Sequence, residues 1–261
     1  MLETAERERA ARILAEAERT QRPIDPLTRT WPGIEVPDAY EIQRIQVRQR
    51  LAAGRSVRGH KVGLTSRAMQ RMLGVDQPDF GHLLDDMFVC EGGTIFAGDL
   101  CQPRVEFELA FVLGETLPAP GCGVADVVRS TAYVAPAIEV IDSRIRDWKI
   151  ALCDTIADNA SSARVVLGPG RSAAADLDLR LVGVLAWKNG EVVESGASGA
   201  VLGNPALAVA WLANALAAFG VRLEAGHVIL PGSCTAAVAV GAGDVVRAEF
   251  ADLGAVGVSF A

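Results

Sequence analysis

Apolar and polar positions follow two different rhythms along this chain, and the change falls near residue 57. Residues 2 to 20 set Leu2, Ala10, Ile13, Leu14 and Ala17 among Glu and Arg, which gathers the apolar groups on one stripe and predicts a surface helix. Pro23 and Pro26 interrupt it. A second helix is expected from near Asp38, whose carboxylate caps the first turn while Glu41 completes a capping box. Ile42, Ile45 and Ala52 then recur at helical spacing, and Gly54 supplies the stop.

Beyond residue 57 short β-rich runs alternate with Gly, Pro and Asp, as in Thr94 to Phe96, Val105 to Leu113, Ala137 to Ile141 and Leu179 to Trp187. A later helix is well marked, with Asn204 as cap, Pro205 in its first turn, an apolar run from Ala206 to Phe219, and Gly220 to close it. Strands return at His227 to Leu230, Val245 to Phe250 and Ala255 to Phe260. The fold class expected is therefore α+β: a helical N-terminal segment, residues 1–56, followed by a β-rich body, residues 57–261.

Composition narrows the function. With 261 residues, half of them hydrophobic, the chain can bury a substantial core without staples. A net charge of -7 and the lack of any basic run argue against nucleic acid as a partner. The five cysteines are scattered without a C-x-x-C pair, which suits a reducing, cytoplasmic setting better than a disulfide framework or zinc site. No apolar run approaches the roughly 20 residues needed to cross a bilayer, so no membrane partner is expected.

The chemistry concentrates in a few segments. If Val105 to Leu113 is a strand, Glu106 and Glu108 share a face with Ala110 and Val112, so the two carboxylates are neighbours on a face that is otherwise not wet. Glu139 sits in a second apolar strand pattern, where an unpaired carboxylate would be costly. Three glutamates meeting at one point would need a cation, and an all-oxygen set favours hard ions such as Mg²⁺ or Mn²⁺. The alternative puts Glu106 and Glu108 on a solvated edge strand and pairs Glu139 with Arg104 or Arg144.

Lys61 lies in the apolar run G-H-K-V-G-L-T-S, where it has either a carboxylate partner or a stem long enough to reach water. Gly74 to Met87 is turn-rich, with Asp76, Asp79, Asp85 and Asp86 as turn formers or candidate site residues, and Asp154 to Ser162 reads as a loop dense in small polar groups. His60, His82 and His227 look isolated, and Gly121 to Asp126 imitates a dinucleotide fingerprint but reads as a loop. There is no G-x-S-x-G elbow, and Cys234 lacks a visible base.

Taken in order, G-H-K-V-G-L-T-S, V-D-Q-P-D-F-G-H-L-L-D-D-M, P-R-V-E-F-E-L-A-F-V-L, P-A-I-E-V-I-D-S-R-I-R-D-W, A-D-N-A-S-S and L-P-G-S-C-T resemble the 2-keto-4-pentenoate (2-hydroxypenta-2,4-dienoate) hydratase family of the fumarylacetoacetate-hydrolase-like superfamily. The resemblance runs nearly end to end. It implies a β-rich body of mixed β-roll or sandwich type, a small 2-oxo or 2-hydroxy-dienoic acid substrate from aromatic or steroid ring degradation, and addition of water to it. It also implies Mg²⁺ or Mn²⁺ held by Glu106, Glu108 and Glu139, Lys61 and Asp79 as catalytic groups, and Thr65 and Ser161 as substrate-binding groups. By the same resemblance the chain forms a homo-oligomer with five-fold symmetry, a pentamer or decamer, and can associate with a downstream aldolase or a decarboxylase. Related members decarboxylate 4-oxalocrotonate or hydrolyse acylpyruvates, and those remain the alternative reactions.

Overall fold

The computed structural model describes residues 1–66, 70–71 and 75–261. Helices α1 (Thr4–Thr20) and α3 (Val36–Ala52) pack against each other, with the short α2 (Leu27–Thr30) between them in sequence. Ala10, Ala11, Leu14 and Ala17 of α1 are buried, much as the apolar stripe requires. The start of α3 needs correction: it begins at Val36 with Glu35 as cap, and Asp38 stands in the first turn, accepting from the Glu35 N–H at 3.0 Å. Pro37 suits a first helical turn and draws the start upstream. The buried Asp38 carboxylate instead ties the two helices together, accepting from the Leu2 N–H at 3.1 Å and from Arg7 Nε at 3.0 Å.

Thirteen strands follow among the described residues, β1 (Val57–Gly63), β2 (Asp79–Leu84), β3 (Phe88–Val89), β4 (Thr94–Ile95), β5 (Pro103–Leu113), β6 (Thr131–Asp142), β7 (Ser162–Leu167), β8 (Gly183–Lys188), β9 (Glu191–Ala197), β10 (Val228–Leu230), β11 (Val238–Ala239), β12 (Val245–Phe250) and β13 (Gly254–Phe260). They form two sheets. The larger runs β2-β1-β10-β5-β6-β7-β3, with β11 pairing β5 off that path, and the smaller runs β4-β13-β12-β8-β9. The α+β class with N-terminal helices and a β-rich body is what the periodicity predicts.

Among the described residues, helices α4 (Val124–Ser130), α5 (Leu152–Ala157) and α6 (Pro205–Ala217) also sit between strands. In α6 the Asn204 side chain accepts from the Ala206 N–H at 3.0 Å and most side chains are buried, as the apolar run demands. The loop expected over Gly121 to Asp126 turns into α4 at Val124. Its glycines form a turn docked on α6, where Asn214 Oδ1 accepts from the Gly121 and Cys122 N–H groups at 2.7 and 3.0 Å.

Strand β5 separates two cores. Val105, Phe107, Leu109 and Phe111 enter the larger one with Ile138 and Val140 of β6. On the opposite face Ala110 and Val112 join a smaller cluster with Leu83, Met87, Val165 and Leu230. Glu106 and Glu108 share that second face, so its polar half is bounded by apolar packing rather than by solvent. Among the described residues no helix is long and apolar enough to cross a membrane.

Candidate metal centre and active site

Strands β5 and β6 pair antiparallel with Glu106 directly opposite Glu139, and Glu108 lies two residues further along the same face. One carboxylate oxygen from each of the three lies within 4.8 Å of the others. Glu108 and Glu139 are fully buried and Glu106 is partly so. Glu108 Oε2 accepts from the Gly232 N–H at 2.7 Å, whereas Glu108 Oε1 and both oxygens of Glu139 have no hydrogen-bond partner. Leaving buried carboxylate oxygens without partners costs several kcal/mol when they are charged, on the order of the desolvation of an ion. A hard cation would answer these oxygens, and an all-carboxylate donor set fits Mg²⁺ or Mn²⁺.

The alternative pairing of Glu139 with an arginine does not occur. Arg144 is turned to Asp158, with Nε 2.6 Å from Oδ1, and Arg104 stacks 4.6 Å over the Trp148 ring. The cation beside Glu139 is Lys61, whose Nζ lies 3.4 Å from Oε2. That is a long ionic contact rather than a directed hydrogen bond. The ammonium instead donates to the Ala160 carbonyl at 3.0 Å.

Electrostatics follow from the crowding. Burial foremost, then Glu139 and Asp79, raise Glu106 to about 7 against the pull of Lys61 and Arg104. Burial, then Glu139 and Glu106, raise Glu108 well above the carboxylate range. Burial alone would lower Lys61, but four carboxylates, Glu139 foremost, hold it above the ordinary lysine range and so keep it charged. Asp79 is raised chiefly by burial, against the pull of Lys61.

The β1–β2 pairing brings Asp79 to the same place. Gly63 registers with Asp79 and Lys61 with Gly81, so Lys61 and Asp79 share one face of the pair. A Cβ on Gly63 would stand 2.2 Å from Asp79 Oδ1 and 3.6 Å from Lys61 Nζ, which is why this position takes no side chain. Asp79 Oδ2 accepts from Thr155 Oγ1 at 3.4 Å, and Oδ1 is buried without a partner. The segment Gly74 to Met87, expected to be turn-rich, is instead from Asp79 to Leu84 the fully buried strand β2, followed by a single tight turn at Asp85–Met87; Gly74 lies outside the described residues.

Residues 154 to 162, expected as a loop, are instead the end of α5 and a tight turn. Asn159, Ala160 and Ser161 all have φ between 50° and 57°, a left-handed run that costs about 1–2 kcal/mol per residue without glycine. Tertiary bonds hold it: the His82 N–H donates to Asn159 Oδ1 at 2.8 Å, and Asn159 Nδ2 donates to the His82 carbonyl at 2.9 Å. This aims the Ala160 carbonyl at Lys61 and leaves the buried Ser161 Oγ unpartnered. Lys61, Thr65, Asp79, Glu106 and Ser161 all line one cavity of about 210 Å³. Of the three glutamates Glu106 lines it, and Glu108 and Glu139, fully buried, each bring a carboxylate oxygen within 4.8 Å of one of Glu106.

Several contributors escape a reading of the sequence. Gly232, with φ 122°, places its N–H on Glu108 and packs so closely that a Cβ would fall 1.9 Å from Thr65 Oγ1. Asn159, Thr155 and the Arg104–Trp148 stack are others, and their only signal was membership of polar segments already singled out. The histidines are not isolated: the His60 ring lies 4.9 Å from His82 and 5.6 Å from His227. Strand alternation sends His60 to the face opposite Lys61, so it does not reach the carboxylate site. A larger cavity of about 480 Å³ lies on that opposite face and contains none of the three glutamates.

The fold and this site define a β-rich, acidic-cluster enzyme class, and sequence comparison supplies its family. A profile of the fumarylacetoacetate (FAA) hydrolase C-terminal family matches residues 52–260, so the chain belongs to that family. It is 45% identical over 255 residues to the 2-keto-4-pentenoate hydratase of Paraburkholderia xenovorans (strain LB400), covering 98% of this chain and 95% of that one. It is also 42% identical to the 4-oxalocrotonate decarboxylase of Pseudomonas sp. (strain CF600), covering 96% and 95%. Among solved structures, a 4-oxalocrotonate decarboxylase from Pseudomonas putida G7, complexed with magnesium and adipate, superposes with a TM-score of 0.96 at 39% identity, covering 100% of this chain and 99% of that one.

Proposed function

We propose that this chain is a divalent-metal-dependent hydro-lyase that adds water to 2-hydroxypenta-2,4-dienoate (2-keto-4-pentenoate), giving 4-hydroxy-2-oxopentanoate in the degradation of aromatic or steroid ring products. The observation that carries the reading is the convergence of Glu106, Glu108 and Glu139 on one point, with Lys61 beside Glu139 and with Lys61, Asp79 and Glu106 lining one cavity. In this reading the three glutamates hold Mg²⁺ or Mn²⁺, which when bound supplies Lewis-acid polarisation of the substrate's carboxylate and 2-oxygen. Residues 57–261 form the catalytic body and residues 1–56 the helical segment packed on it.

The protein groups then divide the remaining work. The substrate must first ketonise, losing its 2-hydroxyl proton and gaining one at C5, before water adds with its oxygen at C4 and a proton at C3. Lys61, kept charged by its carboxylate neighbours, donates a hydrogen bond toward the 2-oxygen and stabilises the negative charge that gathers there. Asp79, whose burial favours the protonated form, holds and releases a proton for the carbon and water steps. Thr65 and the free Ser161 hydroxyl bind the substrate's carboxylate or oxo group. Ile141, Ile150 and Trp148 give the cavity an apolar wall against which the hydrocarbon end packs.

Chelation should abolish hydration of 2-hydroxypenta-2,4-dienoate and Mg²⁺ or Mn²⁺ should restore it; full activity of metal-stripped protein would reject the proposal. A second reading, 4-oxalocrotonate decarboxylation, is favoured by the close superposition on the P. putida G7 enzyme and needs the same stabilised enolate. Supplying both substrates and following hydration and CO₂ release separates the two. The same assignment has the chain working in the cytoplasm as a homo-oligomer, a pentamer or decamer, able to associate with a downstream aldolase or decarboxylase; light scattering of the purified chain tests the first of these assemblies.

A further inference from the structure

The cavity on the far side of β1 and β2 has the makings of a second binding site. Its volume of about 480 Å³ falls within the range of ordinary small-molecule pockets. Its walls are apolar and aromatic, with Phe80 stacked on Tyr40 at 4.3 Å and Phe219 6.0 Å from Phe80. At its floor the buried His60 has no partner for either ring nitrogen, and His82 has none for Nδ1. Every neutral imidazole carries one N–H, so at least one donor there is unanswered. Burial lowers all three histidines, His82 to about 4, which keeps these rings neutral at physiological pH.

The mouth is charged in the opposite sense to the protein as a whole. Arg44, Arg48 and Arg222 line it, with Arg44 5.9 Å over the Phe219 ring. Glu41 pairs with both Arg44 and Arg48, at 3.4 and 2.7 Å, and among the described residues Glu224 is the acidic side chain of the lining. The balance favours an anion at the rim even though the net charge of the chain is -7.

We infer that this cavity binds a small, flat aromatic or conjugated carboxylic acid, its carboxylate on the rim arginines, its ring on Phe80 and Phe219, and a hydroxyl at its far end answering the imidazole floor. The site is separate from the carboxylate cluster, because His60 and Lys61 are consecutive residues of β1 on opposite faces. The occupant would rest on the back of the same two strands that carry Lys61 and Asp79, and His82 is the residue whose backbone Asn159 grips from the other side. The inference stands whether or not the carboxylate site is a hydratase.

Calorimetric titration of the full, Mg²⁺-loaded chain with 4-hydroxybenzoate tests it, with 4-hydroxybenzyl alcohol as the uncharged control. Expected are one site per chain, affinity about tenfold weaker in an Arg48→Ala/Arg222→Ala double variant, and unchanged affinity in Glu106→Gln. Both arginines are exposed, so the double variant should fold. No binding, equal binding of the alcohol, or a loss confined to Glu106→Gln would overturn the inference. So would an oligomer that dissociates in the double variant, since the cavity would then be covered by a second copy.

Discussion

At the level of single residues, the site is governed by the cost of buried charge. Glu108 and Glu139 have buried oxygens without a hydrogen-bond donor, and burial already favours the protonated form of Glu108, so exchanging that carboxyl for an amide should cost the cation-free protein little while destroying its affinity for the ion. Glu108→Gln is therefore expected to melt close to the parent in the presence of chelator, yet to lose the stabilisation that Mg²⁺ or Mn²⁺ gives the parent. Thermal melts with and without the ion read both halves. Lys61 differs, because its ammonium sits on the Ala160 carbonyl and beside Glu139 without being a donor to any ion. Lys61→Met should keep the ion, measured by equilibrium dialysis, while kcat falls by about 10²–10³-fold, the usual worth of one donor aimed at a developing oxyanion.

Among elements, the decisive piece is the left-handed turn at Asn159 to Ser161. Its conformation is unfavourable locally and is held by the two bonds from the Asn159 amide to the β2 backbone. Asn159→Ala deletes both and should cost about 2 kcal/mol in denaturant unfolding. It should also lower kcat, because the Ala160 carbonyl that aims Lys61 and the Ser161 hydroxyl both ride on the turn. An unchanged kcat in a destabilised Asn159→Ala protein would show that the turn is only structural. Gly232 plays a similar part on the other side, and Gly232→Ala is expected to displace the Thr65 segment, since the new Cβ has no room and φ is 122°. Its signature is a KM increase larger than any loss of stability.

Across the whole molecule, the buried histidines make one acid-sensitive contribution to stability. Their folded-state affinities for protons are lowered by burial, His82 to about 4 from an ordinary 6.5, so the unfolded chain binds protons that the folded chain refuses. Stability contributed this way is complete above about pH 6.5 and drains away as pH falls towards 4, His82 alone accounting for on the order of 3 kcal/mol. The parent's denaturant midpoint relative to that of His82→Phe should fall between pH 7 and pH 5, a comparison that isolates the imidazole from the raised carboxylates Glu106, Glu108 and Asp79, whose protonation acts in the opposite sense over the same range. The periodicity of the chain by itself determined the N-terminal helices, the buried α6 and the strand that sets Glu106 beside Glu108, because burial on one face leaves a mark every two or every three to four residues. What it could not determine was which strands become neighbours. The register that puts Glu139 across from Glu106, the turn that presents Ser161, the meeting of three histidines far apart in sequence and the choice of Lys61 over Arg104 or Arg144 as the ion beside Glu139 were decided only by tertiary structure. Pairing between distant strands is fixed by the packing of both cores at once, and no local pattern encodes it.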